Sequence, residues 1–193
     1  ATLRDQMTFS RIMQSVGLAI ANNDRLAQCD PQSIYLSVLH IVSLGLDPSG
    51  MTQQAYLVPF KGQCTPMVGY QGKIELAYRS GKIAKINTQL IYENDPVTID
   101  LAQGTVTHGV DLSKPRGKML AAYALIWLKG QESPLMEVMT SEDFEQIKAD
   151  ASRRSGGRMS PAYKNWPGEM WRRSVLNRAL KRAPKSRDLI ENL

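Results

Sequence analysis

The sequence predicts an α+β fold: N-terminal helices, a β-hairpin followed by a short helix, a mainly antiparallel sheet of four to five strands, and basic C-terminal helices. Three observations lead there. Apolar residues recur at spacings of three and four near both ends of the chain. Strand-type segments punctuated by turn residues fill the middle, from Ile83 to Thr140. Helical and strand stretches are segregated and do not alternate, which favours α+β over a parallel α/β sheet.

The elements follow in order. Phe9, Ile12, Met13, Val16, Ala19 and Ile20 mark one face of a helix within residues 8–26, with Gly17 tolerated inside it. Asp30-Pro31 supplies an N-cap and a first-turn proline for a second helix that continues apolar to Gly45 and is expected to be buried on most sides. Residues 55–60 and 63–69 read as two short strands around a Lys61-Gly62 turn. Pro59 and Pro66 cannot donate to a ladder, so this hairpin should form a sheet edge or stand apart. Tyr70-Gln71-Gly72-Lys73 opens a short helix that ends at Gly81.

From Ile83 onward, Asn94-Asp95-Pro96 and Ala102-Gln103-Gly104 are turns, Val97, Ile99 and Leu101 alternate with polar residues, and Met119–Leu128 is apolar enough for a central strand. Thr140-Ser141-Glu142-Asp143 carries a capping signature for a helix to about Ser152. Residues 155–161 read as a basic loop. A last helix from Pro167 to about Ala183 places Val175, Leu176, Ala179, Leu180 and Ala183 on one face and Ser174, Arg178, Lys181 and Arg182 towards the other, with Arg172 inside the apolar stripe.

With 193 residues and 42% hydrophobic composition the chain, residues 1–193, reads as one domain with a well-buried core. No apolar run approaches the roughly 18 to 20 residues that span a bilayer, so a cytosolic location and no membrane partner are expected. Cys29 and Cys64 are too few for a disulfide framework and read as reduced, partly buried thiols. The chain opens on Ala1 and closes on what looks like the start of a further helix, as a core lacking its terminal tails would.

Charge is concentrated. Residues 151–187 hold eleven Lys or Arg against the single acid Glu169, a local +10, whereas the other residues, 13 basic and 17 acidic, sum to −4. Tyr163, Trp166 and Trp171 lie among these cations, a mixture suited to a polyanion with flat bases. A solvated basic helix would show the same charge run. Trp166 and Trp171, and likewise Tyr56 and Tyr70, are read as core anchors before stacking platforms.

The motifs go further. Gln54-Ala55-Tyr56-Leu57-Val58-Pro59-Phe60, Val68-Gly69-Tyr70-Gln71-Gly72-Lys73, Arg79-Ser80-Gly81, Glu93-Asn94-Asp95, His108, Tyr123, Glu137-Val138-Met139, and Trp166 with Glu169-Met170-Trp171-Arg172-Arg173-Ser174-Val175, then Arg178, Lys181 and Pro184, run in one order over residues 50–185. In this the chain resembles the RecT family of bacteriophage single-strand annealing proteins, the RecT and Red-beta recombinases. Gln71 stands where Lys is common, and Arg172-Arg173-Ser174 replaces the more frequent Lys-Lys-Thr.

The resemblance implies a DNA-recombination protein of the bacterial cytoplasm that coats single-stranded DNA, pairs it with a complement and holds the annealed duplex intermediate. It implies a homo-oligomer, ring or helical filament, with a phage exonuclease and a host single-strand-binding protein as partners of the terminal tails. No ATP is consumed, which agrees with the lack of a Gly-x-x-x-x-Gly-Lys-Ser/Thr loop. No cofactor is required, with Mg²⁺ at most a modulator of annealing, and no catalytic residue or metal site is expected.

Annealing needs a strand held by its backbone with base edges free, so Lys and Arg are the candidates. Lys73, Arg172 and Arg173 fall in the motifs; Arg153, Arg154, Arg158 and Lys164 are placed on the loop before the last helix; Arg178 lies on that helix. Gln71 and Gly72 can bring backbone amides to a phosphate, or Gly72 can serve the strand-to-helix turn. Arg79 follows Glu75 by four residues, which equally suits a surface ion pair. The hairpin at 55–69 and the helix at 167–183 are pictured as opposite walls of one basic groove. The rivals are a passive single-strand-binding protein, a metal-dependent nuclease using Glu93, Asp95, Asp100 and Asp111, and a scaffold for an acidic partner protein.

Overall fold

A computed structural model describes residues 9–154, 156–157 and 161–184. The chain divides into two compact units, with the boundary between Ser80 and Gly81. The described residues form seven helices and seven strands, all strand pairs antiparallel, as an α+β fold requires.

In the first unit, the helix read over 8–26 is two: α1 (Phe9–Ala21) and a single turn α2 (Asp24–Ala27), parted where Asn23 turns extended. Two adjacent Asn residues, poor helix formers that favour caps, account for the break. Leu26 of α2 is buried. Helix α3 (Pro31–Ser43) starts as predicted: Ser33 N–H donates to the Asp30 carboxylate at 2.8 Å, and Pro31 occupies the first turn. It ends in a Schellman turn, with Gly45 at φ +65° donating to Val42 O (2.8 Å) and Leu46 N–H donating to Ile41 O (3.2 Å). The expectation of burial on most sides is corrected: α3 buries Ser37, Val38 and Ile41 but exposes Tyr35, Leu36 and Leu39. Its single covered face rests on the hairpin.

That hairpin is β1 (Ala55–Phe60) with β2 (Gln63–Val68), a two-stranded sheet of its own. Lys61 (φ 49°) and Gly62 (φ 76°) form the two-residue turn, both left-handed as a type I′ turn demands. Such a turn makes Phe60–Gln63 the closing hydrogen-bonded pair, and alternation then puts Pro59 and Pro66 at pairs whose N–H positions face outward. Neither proline costs a ladder bond. Cys64, opposite Pro59, has both backbone groups taken by α3: its N–H donates to Ser33 Oγ and its carbonyl accepts from Ser37 Oγ, each at 2.9 Å. Helix α4 (Tyr70–Arg79) follows and stops before Gly81 at φ +72°.

In the second unit β3 (Ile83–Tyr92), β6 (Met119–Leu128) and β7 (Leu135–Thr140) form a sheet in the order β3-β6-β7, with β6 central as its apolar run predicts. The other two strands, β4 (Val97–Asp100) and β5 (Thr105–His108), pair only with each other. Their Val97, Ile99 and Val106 pack against Ile91, Tyr123 and Leu125 on one sheet face. Ala122, Ala124 and Ile126 alternate to the opposite face. There α7 (Pro167–Leu180) packs, burying Val175, Leu176, Ala179 and Leu180. Two alanines at the strand centre leave room for a close helix. Helix α5 (Ser141–Arg154) opens with the predicted capping box: Asp143 N–H donates to Thr140 Oγ1, and the Asp143 carboxylate accepts from Thr140 N–H at 3.0 Å. A short α6 (Pro161–Asn165) precedes α7. Among the described residues no helix is long and apolar enough to cross a membrane.

Candidate nucleic-acid interface

The cations of the second unit occupy helices. Arg153 and Arg154 form the last turn of α5, and Lys164 lies on α6, so the loop placement read from the sequence is corrected for all three. Basic residues in a last turn complement the negative end of the helix, which is why α5 extends through them. Arg153 pairs with Asp150 one turn earlier, and Arg154 and Lys164 are exposed. Arg158 lies outside the described residues.

On α7, Arg172 and Arg173 are half-buried; Arg172 lies one turn before Leu176, in line with the stripe of Val175, Leu176 and Ala179 that is buried in the core. Arg172 pairs with Glu169 in the first turn, whereas Arg173 has no ion-pair partner among the described residues. Arg178 is differently employed. Its Nε lies 2.8 Å from Glu137 Oε1 and its Nη1 donates to Asp143 Oδ1 at 2.9 Å. Arg182 adds a contact to Glu137 at 3.1 Å. Glu137 is only 11% exposed, and through it and Asp143 the Arg178 side chain ties α7 to β7 and α5. The Thr140 N–H, and then Arg178, hold the Asp143 carboxyl below its usual range.

In the first unit α4 carries Gln71, Gly72, Lys73 and Arg79. Gln71 is exposed and Lys73 half-buried. Gly72 is buried, and a Cβ there would stand 2.1 Å from the Gln54 carbonyl oxygen, so close packing of α4 on the chain before β1 explains the glycine. Arg79 makes the anticipated pair with Glu75 at 2.9 Å. It also donates to Leu44 O (2.6 Å) and Gly45 O (2.9 Å), capping the end of α3. Both residues therefore have structural duties that the sequence reading had weighed against DNA contact.

The two tryptophans part company. Trp171 is buried and stacks on Phe144 with centroids 4.6 Å apart. Trp166, at the N-cap of α7, is 67% exposed, which overturns its reading as a core anchor. A residue just outside a helix start faces whatever the preceding turn leaves open, and here that is solvent. Tyr56 and Tyr70 are half-buried.

A buried network escaped the sequence reading as a unit. The Asp95 side chain, 1% exposed, accepts from Arg116 Nε (2.9 Å), Arg116 Nη2 (2.6 Å) and Tyr92 N–H (2.9 Å). His108 Nε2 lies 3.1 Å from Asp95 Oδ2 and its Nδ1 3.1 Å from the Tyr123 hydroxyl. An ionised carboxylate only accepts, which assigns a proton to Nε2, while Nδ1 shares a hydrogen bond with the Tyr123 hydroxyl. Arg116, stacked 4.1 Å above Tyr92, foremost holds the Asp95 carboxyl far below its ordinary range. Asp95, His108 and Tyr123 are all motif positions; Arg116, the partner of Asp95, lies in a loop with no pattern to single it out.

Two of the remaining carboxylates of the nuclease rival, Asp100 and Asp111, are occupied by local turns. Asp100 Oδ1 accepts from Ala102 and Gln103 N–H (2.9 and 3.0 Å). Asp111 accepts from Ser113 N–H (2.9 Å) and pairs with Lys114 at 3.3 Å. Among the described residues no group of three or more His, Cys, Asp or Glu is placed to hold a metal ion.

Comparison with known proteins agrees with this arrangement of motifs. The sequence profile described as the RecT family matches residues 10–192. Protein RecT of Escherichia coli (strain K12) is 27% identical over 194 residues, covering 96% of this chain and 70% of that protein. The uncharacterized protein YqaK of Bacillus subtilis (strain 168) is 25% identical over 145 residues, covering 66% of this chain and 49% of that protein. With nearly its whole length matched, the chain belongs to the RecT family, a family of recombination and single-strand annealing proteins.

Proposed function

We propose that this protein anneals complementary single strands of DNA without ATP, gripping phosphates in a basic groove and leaving the bases free to pair. The observation that carries this reading is the pair Arg172 and Arg173 within the +10 segment: they are fixed on a helix anchored by Val175, Leu176, Ala179 and Leu180. A rigid, sequence-blind row of cations suits a polyphosphate backbone. Arg153, Arg154 and Lys164 on α5 and α6 are further candidate phosphate contacts of the second unit, and Lys73 and Gln71 on α4 are candidates on the first unit taken by itself. Arg79 and Arg178 support the fold and contribute at most long-range field. The proposal includes assembly into a ring or helical filament in the bacterial cytoplasm, tail-mediated contacts to an exonuclease and a host single-strand-binding protein, and no cofactor beyond modulation by Mg²⁺.

The test is sequential addition of two complementary oligonucleotides without ATP, with strand affinity measured across a salt series. The double variant Arg172→Ala/Arg173→Ala should bind more weakly, and its log–log salt slope should shrink by about 1.4, two phosphates at roughly 0.7 each. A folded double variant with unchanged affinity and slope refutes the phosphate grip. Strand binding by the wild type without pairing refutes annealing.

A further inference from the structure

A cavity of about 550 Å³ opens in the second unit, where α5, α6 and the start of α7 meet the ends of β3 and β6. Its lining includes Tyr92, Lys118, Phe144, Lys148, Tyr163 and Trp171. The volume falls in the range of small-molecule sites, roughly 300 to 1,000 Å³.

The walls have two chemistries. Phe144 stacks on Trp171, and Tyr163 lies against Phe144 with centroids 6.0 Å apart, so one side is an aromatic layer whose accessible part is Tyr163. Phe144 and Trp171 are buried beneath it, while Tyr92 and Tyr163 are half-buried. On the polar side Lys118 is exposed and makes no ion pair with a described residue. Lys148 is neutralised by Glu145 at 3.1 Å, so Lys118 is the lining's net positive charge. The uncapped start of α7 at Pro167 and Gly168 opens on the same space and adds a partial positive charge.

We propose that this cavity is a mononucleotide subsite, taking one base of a single strand against the aromatic wall and its phosphate at Lys118. A flat apolar ring carrying one anionic group matches an aromatic wall with one unpaired cation. A purely apolar ligand would leave Lys118 unused. Because every base offers a π face, the subsite reads no sequence. A base seated there is withheld from pairing, so the subsite favours the unpaired strand and yields its nucleotide as the complement is accepted. This last step rests on the annealing reading; the subsite itself does not.

The experiment titrates the full chain with thymidine 5′-monophosphate and, separately, with base-less 2-deoxyribose 5-phosphate, following tryptophan fluorescence because Trp171 lines the cavity. The mononucleotide should bind saturably and the base-less phosphate about tenfold more weakly. Lys118→Ala should weaken mononucleotide binding about tenfold, the scale of one charge-assisted contact, and Tyr163→Leu should weaken it while leaving the base-less phosphate unaffected. The subsite is overturned if no saturable binding appears at millimolar nucleotide, if folded Lys118→Ala binds like the wild type, or if the base-less phosphate binds equally well. The Arg172→Ala/Arg173→Ala variant separates the two readings: oligonucleotide binding unchanged in that variant sinks the phosphate grip on α7, while its mononucleotide affinity still reports on the cavity alone.

Discussion

Replacing Asp95 with Asn tests the buried network at its centre. The side chain is 1% exposed and accepts four hydrogen bonds, two of them from Arg116. Asparagine has the same shape but one acceptor where the carboxylate has two. If the new amide nitrogen takes the Oδ1 position it faces Arg116 Nε–H; at Oδ2 it faces Tyr92 N–H, His108 Nε2–H and Arg116 Nη2–H. Either way donors confront donors in a site closed to water. Breaking a buried ion pair from one side costs about 3 to 5 kcal/mol; Arg116 is 34% exposed and regains part of its hydration, so we expect about 3 kcal/mol.

For a unit of about 100 residues that loss lowers the midpoint of thermal unfolding by about 12 to 24 °C. Tryptophan fluorescence during urea unfolding is the assay, because Trp127, Trp166 and Trp171 all lie in the second unit and report on it selectively. The sign of the pH dependence follows from the depressed folded-state pKa of Asp95. Its contribution is complete above the unfolded value near 3.9 and is lost as pH falls through that value towards the folded one. The gap between wild type and Asp95→Asn should therefore be flat from neutral pH to about 5 and shrink in stronger acid. A loss below about 1 kcal/mol at neutral pH, the scale of one ordinary hydrogen bond, would show that the network carries no buried ion pair of consequence.

Gly72→Ala places a methyl 2.1 Å from the Gln54 carbonyl oxygen, and far-UV circular dichroism on urea unfolding should show a loss of at least about 2 kcal/mol from overpacking; wild-type stability would mean that α4 shifts freely. Arg178→Ala should cost about 1 kcal/mol, the modest figure reflecting a half-exposed guanidinium, and should alter strand affinity less than the Arg172→Ala/Arg173→Ala pair. An equal or larger loss of strand binding at full stability would return Arg178 to the interface.

Much of the fold was readable along the chain. The β1–β2 hairpin, the central position of β6, the capping box of α5 and the apolar stripe of α7 all depend on period, turn chemistry or a cap within a few residues, and each appears where the pattern puts it. The motif residues also led to the family without reference to coordinates. The errors were of another kind. The serines and glycines of residues 155–160 predict a loop that takes in Arg153, Arg154 and Lys164, whereas the helices on either side extend to include these cations.

What stayed hidden concerns partners distant in sequence. Trp166 and Trp171 share a residue type and a neighbourhood, yet one is 67% exposed and the other stacks on Phe144, because only one of them faces the sheet side of α7. Arg172, Arg173 and Arg178 looked alike as helix cations until Glu137 and Asp143, from β7 and α5, claimed Arg178. Asp95, His108 and Tyr123 are separate motif letters in the sequence; the fold sets His108 between Asp95 and Tyr123 and brings Arg116 onto Asp95. Periodicity and capping act over one or two turns of chain and so are written locally. Burial and ion pairing act over a few ångströms of space, and their outcome is settled when packing brings remote segments together.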